Sequence, residues 1–211
     1  MIERFSEATL PGLYSTITQK DDHLLMIVNE YGHPPLWIRS NNFETLVLTI
    51  LEQQVSLASA YAAYKKLKER IGTITPASLL QLSDEELRNC YLSRQKIVYT
   101  RELAKALNNN SINLRKLHHQ PDNVVRQELK NLKGIGDWTV DIYLLHALRR
   151  TDIFPVGDLA LLNAIKMVKG IDKLSKEEAL EMAAPWRPYR SIATMLFWHY
   201  YIKKKNIKIL H

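Results

Sequence analysis

Helical periodicity runs through most of this chain, and its 7 glycines and 8 prolines fall mainly between the periodic segments. Both residues disfavour a helix interior, so this punctuation predicts a series of helices joined by short turns. The segment from Phe43 to Leu51 continues through Gln53-Gln54-Val55 to Ala60 with apolar residues on nearly every face. Such a helix is expected to be buried on most sides. Asn41 or Asn42 would cap its start by accepting a bond from an orphan backbone amide. Ser83-Asp84-Glu85-Glu86 and Ser175-Lys176-Glu177-Glu178 both carry the capping-box spacing, serine followed three residues later by glutamate, and each announces a helix. Periodicity predicts further helices over 94–107, 122–131, 137–148, 159–168 and 189–204. Strand signals are confined to two short alternating stretches, Ser15–Thr18 and Leu36–Arg39. The Lys203-Lys204-Lys205 run reads as a solvated helix end favoured by the dipole. The expected class is all-α.

Composition narrows what such a fold can be. Of 211 residues, 46% are hydrophobic and 24% charged, the balance of a globular protein and not of a disordered one. Lysine plus arginine number 29 against 22 acidic residues, a formal charge of +7 that is compatible with nucleic acid and equally with many basic enzymes. The single cysteine, Cys90, excludes an intramolecular disulfide framework, an all-cysteine iron–sulfur cluster and a zinc site built from several thiolates. In apolar company, it reads as a buried core thiol. No apolar run approaches the ~20 residues that span a bilayer, and Met1–Phe5 lacks the basic and apolar pattern of a signal peptide. The expectation is a soluble, cytoplasmic protein with no membrane partner. The adjacent His118-His119 pair is a poor metal site, and no Walker, His-x-x-x-His or Gly-x-Ser-x-Gly pattern occurs.

The densest signal is Leu132-Lys133-Gly134-Ile135-Gly136-Asp137-Trp138-Thr139-Val140. A helix ends near Asn131, two glycines flank one apolar residue, and a new helix begins near Asp137. Glycines permit positive φ and close backbone approach, and amides at the next helix start favour an anion. A tight turn between two helices would use the same residues. The flanking apolar set, Leu129, Leu132, Ile135, Val140, Ile142 and Leu144, would pack the two helices together. The segment resembles the helix–hairpin–helix of DNA-binding proteins, which grips a duplex phosphate through main-chain amides. That resemblance implies DNA contacts at Lys133, Gly134, Ile135, Gly136 and Thr139. It also implies a Na+ or K+ ion on the carbonyls of Lys130, Leu132 and Gly134.

Downstream, Pro155-Val156-Gly157-Asp158 opens another periodic helix. Asp158 reads first as an N-cap, worth about 1 kcal/mol in any protein. The order of hairpin, helix and then aspartate resembles the helix–hairpin–helix DNA glycosylase superfamily, where the carboxylate at this place serves the chemistry. An aspartate can be cap and catalyst at once.

Further blocks carry the same resemblance from about residue 43 to 200: Phe43–Leu46 with Gln53–Ser56, Leu92–Lys96, Ala184–Ser191 and Phe197-Trp198. Within the superfamily they are most similar to the bacterial 3-methyladenine DNA glycosylase II branch. The 42 residues before the first block leave no room for the separate N-terminal β-domain of some of its members. Trp138 stands two residues beyond Gly136, where bifunctional relatives carry a Schiff-base lysine, and the C-terminal cysteines of iron–sulfur relatives are absent. The resemblance therefore implies a monofunctional enzyme that hydrolyses the N-glycosidic bond of alkylated purines and leaves an abasic site. 3-Methyladenine would come first and 7-methylguanine second.

In that reading Asp158 steadies the oxocarbenium-like transition state, and Trp138, Trp198 and Tyr189 bind the flipped base. Core packing is the other common fate of a helical tryptophan. Leu92 or Arg94 would fill the gap left by the base, and Arg190 would buttress Asp158 or touch the DNA backbone. Tyr91 and Ile142 depart from the family pattern, which often has glycine and a pocket aromatic there. The whole chain is expected as one glycosylase unit of two interleaved helical lobes with a cleft between them. One lobe would span 43–149 and end in the hairpin. The other would combine 1–42 with 150–211, placing Asp158 and Trp138 at the junction. A monomer acting on damaged double-stranded DNA, without an organic cofactor, is the leading expectation. A glycosylase for oxidised or deaminated bases and a non-catalytic DNA-binding module are the alternatives.

Overall fold

The computed structural model describes residues 3–208. Among them there is no β-strand, only one antiparallel bridge between Arg4 and Arg150. No helix of the described residues is long and apolar enough to cross a membrane. The chain divides into two compact units, one of residues 39–143 and one of residues 3–38 with 144–208.

The second of these begins with α1 (Leu10–Thr18) and α2 (Asp22–Tyr31), the latter capped by Asp21, whose carboxylate accepts from the amides of His23 and Leu24. Unit 39–143 then contributes α3 (Phe43–Glu52), α4 (Leu57–Ile71), α5 (Pro76–Gln81), α6 (Asp84–Asn89), α7 (Arg94–Asn108), α8 (Leu114–His118) and α9 (Asp122–Lys130). The next helix, α10 (Asp137–His146), runs across the division of the chain at 143/144. The remaining helices are α11 (Leu159–Lys169), α12 (Lys176–Ala183) and α13 (Arg190–Lys204), with a 3-10 turn over Ala184–Trp186.

Caps set these boundaries. Asn42, not Asn41, accepts from the Thr45 amide to start α3, while Asn41 bonds the Leu114 carbonyl and receives the Tyr143 hydroxyl. Ser83 and Ser175 form the two expected capping boxes. The helix expected through Ala60 ends at Glu52 instead. Gln53 adopts an extended ψ of 125°, Gln54 has a φ of +56°, and Ser56 caps α4 afresh. The two expected strand stretches are also absent. Ser15–Thr18 is the last part of α1, and Leu36–Arg39 has no regular structure.

Each unit has a central helix. In 39–143, α3 is buried over its whole length and packs on α4 and α7. In the other unit α13 is buried from Ser191 to Tyr200, against α1, α2 and α11. Helices apolar on all sides must be surrounded, which is why these two lie innermost.

Candidate active site and nucleic-acid interface

Within unit 39–143 the two-glycine turn joins α9 to α10. The Leu132 amide bonds the Leu129 carbonyl and the Ile135 amide bonds Leu132, both at 3.1 Å, which closes the turn. Two ion pairs clamp its helices: Lys130 to Asp137 at 2.6 Å, and Arg126 to the buried Asp141. Ile135 is buried beneath the turn and anchors it, while Lys133 and Gly136 are exposed. Thr139 is buried, so its side chain serves the interior; its hydroxyl oxygen accepts from Gln53 Nε2 at 2.9 Å. The same Gln53 amide donates to the Gly134 carbonyl at 2.9 Å, fixing the turn to the end of α3. Trp138 is half-buried in the first turn of α10. Ile142 lies in the core.

The two glycines have different reasons. Gly134 has a φ of +88°, and a Cβ built there would lie 2.0 Å from the Tyr99 ring. Gly136 is outside the left-handed region and a Cβ there meets no protein atom within 4 Å. Only Gly134 is demanded by the fold. Gly136 leaves open space beside the first-turn amides of α10, which have no intrahelical acceptor.

The loop between α6 and α7 corrects one expectation. Leu92 is 3% exposed and cannot enter a duplex. Its burial follows from how α6 ends: the Tyr91 amide bonds the Arg88 carbonyl and the Leu92 amide bonds Leu87, a Schellman closure. That motif packs the residue after the turn, here Leu92, against Leu87, which is also buried. Arg94 is exposed at the first position of α7, and Tyr91 is 63% exposed with a φ of +66°. Cys90 is buried, and burial pushes its thiol pKa up.

In the other unit Asp158 caps α11. Its Oδ1 accepts from the Leu161 amide at 2.8 Å and from Trp198 Nε1 at 3.0 Å. Trp198, on α13, is buried and stacks on His146 with ring centres 5.5 Å apart and planes 14° from parallel. His146 Nδ1 lies 2.7 Å from the Trp37 carbonyl, which can only accept, so that nitrogen carries the proton. Trp37 in turn faces His199, whose Nε2 donates to the Tyr31 carbonyl at 3.0 Å. Burial holds the His199 pKa below the ordinary imidazole value. The carboxylate thus anchors Trp198 and its stacked partner His146, and the Trp37 carbonyl ties that pair to the Trp37–His199 pair.

Arg190 departs from its expected role. Its guanidinium is committed to Asp152, with Nε to Oδ1 at 2.6 Å and Nη2 to Oδ2 at 3.0 Å, and its side chain is 14% exposed. It braces the segment before Asp158 and not Asp158 itself. Tyr189 is half-buried at the start of α13, with the Lys20 ammonium 5.8 Å from its ring centre. Gln53, Tyr99, His146 and Trp37 are the residues sequence reasoning missed. For Gln53 the signal was the Gln53–Ser56 block itself; the others show only through tertiary contacts. Among the described residues no group of three His, Cys, Asp or Glu could hold a metal ion.

The family model for HhH-GPD superfamily base excision DNA repair proteins matches residues 47–188, spanning both the turn and Asp158. The chain belongs to that superfamily. A DNA-3-methyladenine glycosylase of Bacillus subtilis is 28% identical over 169 residues, covering 74% of this chain and 56% of that protein. The chain spans about three fifths of the length of the Bacillus subtilis relatives it matches, 64% and 56%. Among solved structures, a DNA-3-methyladenine glycosidase from Bacillus halodurans superposes with a TM-score of 0.78 at 28% identity, covering 98% of this chain and 95% of its own. The Schizosaccharomyces pombe 3-methyladenine DNA glycosylase in complex with abasic DNA gives 0.82 at 23% identity, covering 92% and 97%, a likeness of fold. The all-helical architecture is therefore that of the HhH-GPD proteins.

Proposed function

We propose that this chain is a monofunctional DNA glycosylase that releases alkylated purines, 3-methyladenine first, from double-stranded DNA. The observation that carries this reading is Asp158, a carboxylate fixed on one oxygen by a backbone amide and an indole N–H in an HhH-GPD chain. Alkylation at a ring nitrogen makes the purine cationic and a good leaving group, so little acid catalysis on the base is required. The remaining demand is to stabilise positive charge on the sugar as the bond breaks. A fixed carboxylate does so without reorganising. The base departs with the bonding electron pair, water adds to the sugar carbon, and the proton that water loses passes to the Asp158 carboxylate and on to solvent. Trp138 would offer its indole face to the cationic purine, whose charge the ring quadrupole attracts. The turn would hold a phosphate on the amides around Gly136, with Lys133 beside it.

A Na+ or K+ ion on the turn carbonyls belongs to the same proposal. Leu132 O already accepts from Ile135 N and Gly134 O from Gln53 Nε2, and each carbonyl keeps a second lone pair for a cation. Exchanging K+ for choline at equal ionic strength should then weaken duplex binding; identical affinities would remove the ion from the proposal.

The deciding experiment is base release from duplexes carrying 3-methyladenine, 7-methylguanine, hypoxanthine or 8-oxoguanine, with borohydride added in parallel. The expected result is release of the methylated purines and no trapped adduct, since Trp138 offers no amine for a Schiff base. A trapped complex would overturn the monofunctional mechanism. Preferential release of a neutral base would transfer the chain to the deaminated- or oxidised-base class. Duplex binding without any release would make it a non-catalytic module.

A further inference from the structure

His146, the last residue of α10, is a buried imidazole where an aliphatic side chain would fill the same space with no polar atom to satisfy. Its ring lies 14° from parallel with the Trp198 indole, and its Nδ1–H donates to the Trp37 carbonyl at 2.7 Å. One hydrogen bond at the edge and one stack on the face fix both the position and the tilt of the imidazole plane. The carbonyl is held in turn, because the Trp37 ring faces His199, whose Nε2 bonds the Tyr31 carbonyl at the end of α2. All of these residues belong to the unit of residues 3–38 and 144–208.

The plane controls a direction. An indole has one polar atom, its N–H lies in the ring plane, and the torsion that turns the ring is a broad one. Rotation of Trp198 would therefore swing its donor away from a fixed acceptor. That acceptor is Asp158 Oδ1, 3.0 Å from Nε1, which the Leu161 amide also approaches at 2.8 Å. The amide belongs to the helix backbone and keeps its place whatever the side chains do. The indole does not, and its bond to the carboxylate is strong only while it stays short and straight. A flat, tethered ring stacked against the indole holds that donor in line.

We propose that His146 is a positioning residue for bond cleavage: through Trp198 it keeps the Asp158 carboxylate in the orientation that the transition state uses. The inference rests on the glycosylase reading for the role of Asp158, and adds to Trp198 a task beyond contact with the base.

The test measures two quantities on the full chain. One is single-turnover release of 3-methyladenine; the other is affinity for a duplex with a tetrahydrofuran abasic-site analogue, which has no base to stack. Trp198→Phe removes the indole donor and should slow release about tenfold to a hundredfold, the worth of one hydrogen bond to a charged group. His146→Leu keeps an apolar filling but loses the flat ring and the tether. It should slow release by about tenfold, the lower end of that range, and leave affinity for the abasic duplex unchanged. His146→Phe restores a flat ring and should recover part of the rate. In the Trp198→Phe background His146→Leu should have no further effect, because the donor it acts through is gone. Indole N–H resonances of the isotopically labelled chain give an independent readout. The Trp198 signal, identified by its loss in Trp198→Phe, should shift in His146→Leu and exchange faster with solvent. If His146→Leu releases base at the wild-type rate, or its loss adds fully to that of Trp198→Phe, the His146 proposal is wrong while the glycosylase reading stands. Equal losses of release and of abasic-duplex binding would make His146 a core residue only and overturn the proposal too. If wild type releases no base, both fall.

Discussion

Replacing Asp158 with asparagine is expected to cut single-turnover release of 3-methyladenine by at least about a hundredfold, with fold and duplex binding intact. The magnitude is that of removing one preorganised electrostatic group from a transition state. Asparagine suits the N-cap about as well as aspartate. Its Oδ1 can still accept from the Leu161 amide and Trp198 Nε1, as the carboxylate does now. The negative charge is lost. Affinity for duplex should stay equal or rise slightly, because one anion facing a polyanion has gone. Asp158→Ala separates the two roles further. It should lose the same activity and, in addition, about 1 kcal/mol of stability with the cap. Turnover near wild type in Asp158→Asn would reduce Asp158 to a structural cap.

Asp158 also illustrates what a sequence can disclose. A cap is a local event: the side chain bonds an amide three residues on, and spacing alone reveals it. Ser83 and Ser175 were legible for that reason, Asn42 as one of two candidates, and so were the bounds of α7, α9, α10, α11 and α13 to within two residues, whereas α1, α2, α4, α5 and α8 carried no such mark. The turn between α9 and α10 was equally legible, being a pattern of neighbours. Exposure was not. Leu92 and Tyr91 are adjacent and both large, yet one is 3% and the other 63% exposed, because the Schellman closure of α6 turns one inward. Arg190 was expected beside Asp158, 32 residues before it in the chain, but Asp152 claims it. The break after Glu52 was hidden because apolar residues resume at Val55 and Leu57, just past three polar ones. Gln53 leaves the helix where its side chain bonds Gly134 and Thr139, 81 and 86 residues away. The ring row behind Trp198 combines Trp37, His146 and His199, which no periodicity connects.

The two glycines of the turn should respond to substitution in opposite ways. Gly134→Ala places a methyl group 2.0 Å from the Tyr99 ring at a φ of +88°. The backbone strain costs about 1–2 kcal/mol and the overpacking about 1–3 kcal/mol, so a loss of roughly 2–5 kcal/mol is expected. In a chain of this size that lowers Tm by about 5–15 °C. Loss of DNA binding in this variant would then report a damaged turn, not a blocked phosphate. Tyr99→Ala should relieve part of the penalty, since it removes the clashing ring and leaves only the φ strain. A double-mutant cycle on thermal unfolding reads that coupling directly, and additive losses would show that the ring gives way instead. Gly136→Thr is the cleaner probe of binding. Threonine ranks with glycine just before a helix, and its Cβ meets no protein atom within 4 Å, so Tm should hardly move. The added side chain would occupy the space where a phosphate must approach the α10 amides. Affinity for damaged and undamaged duplex should fall together by about tenfold to a hundredfold, the worth of one charge-assisted hydrogen bond. Unchanged binding in Gly136→Thr would mean that the amides face solvent and that the DNA lies elsewhere on the molecule.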